Sequence, residues 1–361
     1  MKIFKYVLFI FFSIIIGILS TFFFIKGTSS TYTYLKNIEG NRIVFSAQAL
    51  NSLENNLPKN NYSETNTIPE NKNTALIFVG DIMLDRGVES SIVKNFNNDY
   101  NEFFQNLNFL KNSDILFGNL EGPVSDQGNK VGSIYSFRMP VEVLPALKTL
   151  GFDVLSVANN HAGDWNRAAF ADNLFRIKKA GMISVGGGIA GKVIEPEIIE
   201  KNNLKIGFLA LSDVGPIWLE AKEKTGGILL AKNKKMAEII KNASEKVDYL
   251  VVSMHFGDEY KTTHNKRQEE LAHLVIDSGA NLVVGHHPHV IQDTEIYKDK
   301  IIAYSLGNFV FDQYFSPNTM EGMILEIELD NQGAVTKADK KIIKLNKQFQ
   351  PAEITDAGSI L

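Results

Sequence analysis

A cluster of histidines is the part of this 361-residue chain best suited to chemistry. Three of its seven histidines fall within the run Gly285-His286-His287-Pro288-His289, directly after an apolar stretch. His287 and His289 stand two residues apart, so an extended backbone points their side chains the same way. Neutral imidazole is the commonest metal-binding side chain in proteins. The run therefore predicts a metal or anion site at the end of a strand.

Two further histidines close apolar runs in the same manner. His161 follows Asn160, whose amide oxygen can share a metal site, and Asp164 comes three residues later. That spacing suits a carboxylate that orients the imidazole from behind. His255 ends another apolar run, and Glu259 follows as a candidate acid, base or outer partner, or as an ordinary loop carboxylate. Both segments predict side chains that belong to the same site.

Carboxylate and amide side chains complete the pattern. Asp81 stands at the end of the first apolar run of the globular region, and Asn119 and Glu121 follow the next run, two residues apart. Their oxygens are suitable metal ligands. Arg86 could clamp a phosphate or carboxylate in bidentate fashion, or serve as a surface ion-pair partner. Each segment alone also fits a capped polar turn, but together they predict one polar site.

The elements that must position these residues alternate along the chain from residue 74 onward. Short β-branched or apolar runs predict strands at 75–79, 115–117, 154–157, 183–185, 206–211, 249–253 and 282–284. Helical patterns lie between them, at 141–150, 167–180, 235–246 and 266–278. This alternation predicts an α/β domain with much parallel pairing. Ligands bind such sheets at the carboxyl ends of the strands, where the polar residues above stand.

The last part of the globular region changes to a hairpin pattern. Candidate strands at 294–297, 301–304, 323–329 and 335–344 follow one another without helical patterns between them, and a turn at 330–333 joins the last pair. We expect a second, more antiparallel sheet there.

The N-terminus predicts a membrane anchor. Lys2 and Lys5 precede an uncharged run over 6–25, which ends at Lys26. About 20 apolar residues span a bilayer as a helix. No A-x-A cleavage pattern follows, so an uncleaved signal anchor is favoured over the alternative, a cleaved signal peptide. Both place the body of the protein outside the cytoplasm.

Composition limits the remaining possibilities. The formal net charge is −4 and no basic stripe is present, which argues against a nucleic-acid partner. The chain has no cysteine, which excludes disulfides and thiolate metal sites. We predict an anchor over 1–26, an extracytoplasmic stalk rich in Asn, Ser, Thr and Pro over 27–73, the domain over 74–345 and a C-terminal tail over 346–361.

The ordered set of motifs resembles that of the CapA/PgsA-type capsule-synthesis proteins, the poly-γ-glutamate synthesis family. The matching motifs are Gly80-Asp81, Asn119 with Glu121, Asn159-Asn160-His161 with Asp164, the segment 255–260, the run 285–289 and the segment 305–309. They extend over roughly 75–325, which is nearly the whole globular region.

That family in turn is similar to the calcineurin-like metallophosphoesterases. The resemblance implies an α/β fold, a calcineurin-like metallophosphatase α/β/β/α sandwich preceded by one N-terminal transmembrane helix, with a two-metal site. Carried over residue by residue, the metal region comprises Asp81, Asn160, His161, His255, His287 and His289, with Asn119 and Glu121 in a neighbouring role. Two departures weaken one metal position: Met83 replaces the histidine of an Asp-x-His motif, and Asn119 and Glu121 stand where a bridging Asp is usual.

The resemblance implies a function at the cell membrane, in making or exporting an anionic polymer. One or two divalent ions, Mn, Fe or Zn, would support hydrolysis or transfer at a phosphoryl centre. His255 and Glu259 are the candidates for proton transfer, Arg86 for holding the substrate anion and Asp164 for orientation. The implied partners are an anionic polymer or phosphorylated envelope substrate and membrane proteins of a polyglutamate synthase complex. Two alternatives remain: a non-catalytic subunit that binds polymer or partners, and a general cell-envelope metallophosphoesterase.

Overall fold

The structure of the chain is a computed structural model that describes residues 38–39, 42–43, 72–189 and 195–361. The predicted anchor over 1–26 lies outside these residues. Each helix within them is too short or too polar to cross a membrane. The chain divides into two units, 1–67 and 68–361.

The first unit contains a pair of short antiparallel strands, β1 (Ile38–Glu39) and β2 (Arg42–Ile43). The strands of the second unit are β3 (Thr74–Ile82), β4 (Ile115–Leu120), β5 (Phe152–Ser156), β6 (Ile183–Val185), β7 (Gly187–Gly188), β8 (Glu197–Lys201), β9 (Leu204–Ser212), β10 (Gly227–Ile228), β11 (Tyr249–His255), β12 (Leu282–His286), β13 (Thr294–Tyr297), β14 (Lys300–Ala303), β15 (Asn308–Val310), β16 (Glu321–Leu329), β17 (Val335–Leu345) and β18 (Pro351–Ser359). Its helices are α1 (Arg86–Asn95), α2 (Tyr100–Phe103), α3 (Val143–Leu150), α4 (Asn166–Lys179), α5 (Met236–Ser244) and α6 (Lys266–Asp277). Three short 3-10 helices cover Gln105–Asn112, Ile217–Leu219 and Asn318–Met320.

Two mixed sheets form the centre of this unit. The eight-stranded sheet has the order β18-β17-β16-β3-β4-β5-β6, with β15 also paired to β3. The six-stranded sheet has the order β13-β14-β12-β11-β9-β8. In each sheet the central neighbours run parallel, β3-β4-β5-β6 in the first and β9-β11-β12-β14 in the second. This is the α/β organisation that the alternation of strands and helices predicts.

The two sheets pack face to face, and helices cover their other sides. Phe117 on β4 stacks on Phe208 on β9, with ring centroids 5.9 Å apart. Side chains alternate across a strand, so the neighbouring Leu209 points to the opposite face. There it joins a separate apolar core with Ile240 of α5 and Val275 of α6. Helices α1, α3 and α4 contribute side chains to the main core, which also contains apolar side chains from the strands of the eight-stranded sheet.

The hairpin strands do not form a sheet of their own, so that part of the prediction is wrong. β13 and β14 extend the six-stranded sheet through β12, whereas β16 and β17 extend the eight-stranded sheet through β3. The chain changes sheets between them, where β15 pairs in parallel with β3. In the segment expected as a tail, 346–361, the structure contains β18, which pairs with β17.

The parallel strands of both sheets bring their carboxyl ends to one edge. In the first sheet the Cα partner of Asp81 is Asn119 on one side and Asn308 on the other. In the second sheet His255 is paired with His286. The register therefore lines up the polar residues that the sequence places at strand ends.

Candidate metal centre

Buried polar side chains from the two sheets touch each other at this edge. The amide of Asn119 donates a hydrogen bond to Oδ1 of Asp81 at 2.8 Å. The same amide nitrogen lies 3.4 Å from Nδ1 of His255, which belongs to the other sheet. Asp81, Asn119 and His255 are each at most 1% exposed. Residues more than 130 positions apart thus share one water-poor site.

Asp81 is the negative centre of the site. Its Oδ1 lies 3.3 Å from Nδ1 of His286, and its Oδ2 lies 3.3 Å from Nδ1 of His289. Oδ2 also accepts the backbone N–H of His287 at 3.2 Å. Burial opposes ionisation of this carboxyl, but the neighbouring imidazoles of His286 and His289 hold its pKa well below the usual range. Asp81 is therefore ionised at neutral pH and can bind a cation.

Glu121 lacks the partners that a buried carboxylate needs. It is fully buried, and among the described residues neither carboxylate oxygen has a hydrogen-bond partner. Oε1 lies 3.6 Å from Nε2 of His289 and 3.9 Å from Nε2 of His161. Burial raises the pKa of Glu121 well above its usual value, although His289 opposes this. A buried carboxyl without partners is costly, and a bound cation would satisfy it.

The backbone at the histidine run is strained. His287 has φ +98° and His289 has φ +57°, a region that residues with a side chain rarely adopt. Such strain is typical of functional sites, where the surrounding structure holds a residue in place. Burial, together with the charge of His289, lowers the pKa of His287 to about 3. His287 is therefore neutral, and its Nδ1 is buried without a partner among the described residues.

The pKa of His289 shifts in the opposite direction to that of His287. Burial favours its neutral form, but the carboxylates of Glu121 and Asp81 raise its pKa to about 9. Its Nδ1 lies 3.0 Å from Oδ1 of Asn308. In the metal-free protein a protonated His289 thus supplies the positive charge between the two acids. Binding of a metal there must displace that proton.

His161 is oriented by a carboxylate, as the spacing predicts. Its Nδ1 donates to Oδ2 of Asp164 at 2.7 Å, and the same oxygen accepts the backbone N–H of Phe137 at 2.8 Å. The ring of Phe137 packs on the imidazole, with centroids 3.9 Å apart. These contacts fix the ring and point Nε2 towards Glu121. Asp164 can therefore act through His161 rather than on a ligand directly.

His255 already has neighbours at both ring nitrogens. Nε2 lies 2.8 Å from Oδ1 of Asn160, and Nδ1 faces the amide of Asn119. Burial and the nearby His287 lower the pKa of His255 well below its usual value. The imidazole is neutral, which is the state that binds metals.

Two groups of ligand atoms are close enough to hold a cation. Donor atoms of Asp81, Glu121 and His255 lie within 4.8 Å of one another, and so do those of Glu259, His287 and His289. Glu259 is exposed, whereas the histidines of its group are buried. Carboxylate oxygens and neutral imidazoles suit a divalent ion of intermediate softness. With the unpartnered atoms of Glu121 and His287, the donor set fits one or two such ions.

One predicted residue, Arg86, has other contacts, and two further residues were missed. Arg86 forms an ion pair with Asp312, and its guanidinium lies 4.6 Å from the centre of the Phe137 ring. Met83, at the position where the resemblance implies a histidine, is buried, and its sulfur accepts the N–H of Asp85 at 3.3 Å.

The two missed residues support the predicted set from behind. His286 is fully buried beside Asp81, and among the described residues neither of its ring nitrogens has a hydrogen-bond partner. Asn159 donates to Oδ1 of Asn119 at 3.2 Å and to the carbonyl of Leu120 at 2.9 Å. Both stand next to residues that the sequence analysis selects, and their position in the same motifs was the available signal.

Two solved structures resemble the fold distantly. A phosphatase from Mycoplasma pneumoniae aligns with a TM-score of 0.45 and 15% identity, over 78% of this chain and 98% of that one. A 5'-nucleotidase precursor from Thermus thermophilus aligns with a TM-score of 0.46 and 13% identity, over 78% of this chain and 56% of that one.

Sequence comparisons are more specific. A family model described as "Bacterial capsule synthesis protein PGA_cap" matches residues 75–313. The capsule biosynthesis protein CapA of Bacillus anthracis is 34% identical over 301 residues, which cover 80% of this chain and 71% of that protein. The PGA biosynthesis protein CapA of Bacillus subtilis (strain 168) is 34% identical over 260 residues, 71% of this chain and 68% of that protein. The matched region contains the histidines and carboxylates of the metal centre, and the chain belongs to the bacterial capsule synthesis protein family PGA_cap.

Proposed function

We propose that this chain is a membrane-anchored, extracytoplasmic protein that supports the synthesis or export of a poly-γ-glutamate capsule and carries a metal-dependent, phosphoesterase-like site. Family membership supports the role in capsule formation. One observation carries the proposal of a metal site: buried acids and imidazoles from two sheets converge, and within the described residues Glu121 and His287 keep donor atoms without partners. Natural proteins rarely leave buried polar atoms unsatisfied without a functional reason.

The residues that would hold the metal are the two groups already described, together with His161, whose Nε2 faces Oε1 of Glu121. Asp81, Glu121 and His255 form one, and Glu259, His287 and His289 form the other. Mn²⁺, Fe or Zn²⁺ suits this mixture of oxygen and nitrogen donors. When bound, one or two such ions supply charge stabilisation at a phosphoryl group and make water more acidic.

The protein's own side chains would position the substrate and move protons. Glu259 is exposed beside His287 and His289, where its carboxylate can accept a proton from an incoming nucleophile. His255 is less free to do so because both of its nitrogens have neighbours. Asp164 keeps His161 oriented. Arg86 would hold an anionic group by exchanging Asp312 for it.

The location is proposed from the N-terminal sequence, and the partners are proposed from the family resemblance. The apolar run over 6–25 would anchor the chain in the cell membrane and leave the domain outside the cytoplasm. The expected partners are an anionic polymer or phosphorylated envelope substrate, and membrane proteins of a polyglutamate synthase complex. A net charge of −4 argues against nucleic acid.

A non-catalytic role in binding polymer or partners is the second candidate. It is favoured by Met83, which stands where phosphoesterases of this type have a histidine and whose sulfur contacts the backbone of Asp85. With one metal ligand fewer, the site could bind a cation without supporting turnover.

The test uses the full-length chain, purified in detergent, stripped with a chelator and reloaded with Mn²⁺ or Zn²⁺. Bound metal and hydrolysis of a generic phosphodiester are measured with and without chelator. Metal-dependent turnover supports the enzyme, and bound metal without turnover supports the binding role. A reloaded protein that retains no metal would refute the metal site that both candidates assume.

A further inference from the structure

Two aromatic side chains are exposed beside the metal centre. Tyr260 is 42% exposed and Phe315 is 62% exposed, and they come from the loops that follow β11 and β15. Their rings meet edge to face, with centroids 5.0 Å apart and planes at 89°. Apolar side chains that are exposed side by side often mark a ligand-binding groove or an interaction site.

The aromatic pair lies directly beside the second group of metal ligands. The ring of Tyr260 lies 6.2 Å from the ring of His289, and its neighbour in sequence is Glu259. A ligand held by Glu259 and His289 would therefore place its outer substituent against the aromatic pair.

Hydrogen bonds connect the position of Tyr260 to the metal centre. The Tyr260 hydroxyl accepts a bond from Nε2 of Gln313 at 3.3 Å, and Oε1 of Gln313 accepts one from Asn308 at 3.2 Å. Asn308 in turn contacts Nδ1 of His289 at 3.0 Å. The backbone N–H of Tyr260 donates to the carbonyl of Pro288 at 2.8 Å. The same contacts thus fix the metal-binding loop and the exposed ring.

The backbone of Tyr260 is also strained. Its φ is +64°, which is unusual for a bulky residue. Glycine would adopt this conformation more easily. A strained and half-exposed tyrosine contributes little to the apolar core, so its position beside the metal ligands indicates a role in binding.

From these observations we infer that Tyr260 and Phe315 form a substrate subsite for a flat apolar group, such as a ring, carried on the phosphoryl group that the metal centre holds. The inference rests on the proposed function. Aromatic rings pair by offset stacking or edge to face at centroid distances of about 4.5–7 Å. Tyr260 and Phe315 already present both a face and an edge for such contacts.

The test compares two non-hydrolysable ligands that differ in their substituent. Phenylphosphonate and methylphosphonate are titrated into the metal-loaded full-length protein by calorimetry. We expect phenylphosphonate to bind about tenfold more tightly, the preference that one aromatic contact can supply. Phe315→Ala and Tyr260→Gly, the latter compatible with a positive φ, should each reduce this preference towards one.

A matched control is Phe175→Ala, because Phe175 is 63% exposed but lies on α4. It should keep the full preference, and metal content is measured for every variant. Equal affinities in the wild type, or a preference that survives both Phe315→Ala and Tyr260→Gly, would refute the subsite alone. If neither phosphonate binds to the metal-loaded wild type, the proposed phosphoryl site itself fails and the subsite with it.

Discussion

The seven histidines form two groups that differ in how fully their imidazoles and the neighbouring carboxylates are hydrogen-bonded. His264 and His273 lie outside the metal centre, and each stacks on a tyrosine ring at 3.8 Å. Each also has a carboxylate partner: His264 lies 2.7 Å from Asp293, and His273 lies 3.0 Å from Glu295. These imidazoles are partly exposed and their hydrogen bonds are made within the fold.

The other five histidines stand at the carboxyl edge of the strands. Several polar atoms of this group and its neighbours have no hydrogen-bond partner among the described residues. Among the described residues, the ring nitrogens of His286, Nδ1 of His287 and the carboxylate of Glu121 are buried without hydrogen bonds. We infer that a complete histidine–carboxylate pair stabilises the fold, whereas the unpartnered atoms of the other group are available to a ligand. Such local conflicts are expected at functional sites.

The largest expected effect comes from removing two ligands of the second group. The double substitution His287→Ala plus His289→Ala should weaken metal binding by more than about 100-fold, because imidazole nitrogens are lost from the site itself. The matched control is His264→Ala plus His273→Ala, which removes the same atoms from the complete pairs. Metal analysis after chelation and reloading is the measurement. Equal metal loss in both double variants would contradict the division of the histidines.

A smaller loss should follow from disturbing the orientation of His161. Asp164→Asn should weaken metal binding by about 10- to 100-fold, the usual effect of removing a carboxylate behind a metal-binding histidine. Asp293→Asn is its counterpart, since the Asp293–His264 and Asp164–His161 distances are both 2.7 Å. Metal titration of the two variants should show a defect in Asp164→Asn alone. A normal affinity in that variant would remove His161 from the site.

Glu121 should show that the metal centre costs stability when no metal is bound. Burial raises its pKa well above the usual value, so above about pH 4.5 its ionisation opposes folding. Glu121→Gln should therefore increase the free energy of unfolding at pH 7 by about 1–2 kcal/mol in the presence of chelator. The same variant should bind metal less tightly. Urea unfolding measures the first effect, and a lower stability of the chelated variant would argue that Glu121 is a structural acid.

The smallest expected effect is at the Glu295–His273 pair. Here the substitution should lower the free energy of unfolding, whereas Glu121→Gln should raise it. Burial opposes ionisation of Glu295, but Tyr304 and His273 lower its pKa below the usual value. Its contribution to stability is therefore present above about pH 4.5 and disappears as the pH falls through the lowered pKa. Glu295→Gln should reduce the free energy of unfolding at pH 7 by about 0.5–1 kcal/mol, with no change in metal affinity. Wild type and variant should converge at low pH, and a constant difference down to pH 3 would exclude this linkage.

Much of the geometry of the candidate metal centre could be anticipated because it obeys local rules. Apolar runs mark the strands, and β6 has the bounds that the sequence predicts. Neighbouring parallel strands share one carboxyl edge, so the polar residues that follow Val79 and Phe117 are expected to approach one another. His264 and His273 follow a different pattern, in a loop and on a helix, and their separation from the site could also be anticipated.

The remaining features depend on contacts that the sequence does not display. The β16–β17 hairpin joins the eight-stranded sheet because β16 pairs with β3, although about 250 residues separate the two strands along the chain. The ion pair of Arg86 with Asp312 spans 226 positions. The lack of a partner for Glu121 follows from side-chain packing, which periodicity and spacing do not encode.

The most direct test of the central claim, that these side chains share one cation site, is anomalous X-ray scattering from crystals of the full-length protein loaded with Mn²⁺ or Zn²⁺. In data collected at the X-ray absorption edge of the metal, the account predicts an anomalous peak within about 2.0–2.3 Å of donor atoms of Asp81, His287 or His289. A second peak in the neighbouring group would establish a two-metal centre. Peaks confined to the His273–Glu295 pair, or no peak at the carboxyl edge of a protein that retains metal, would contradict the claim.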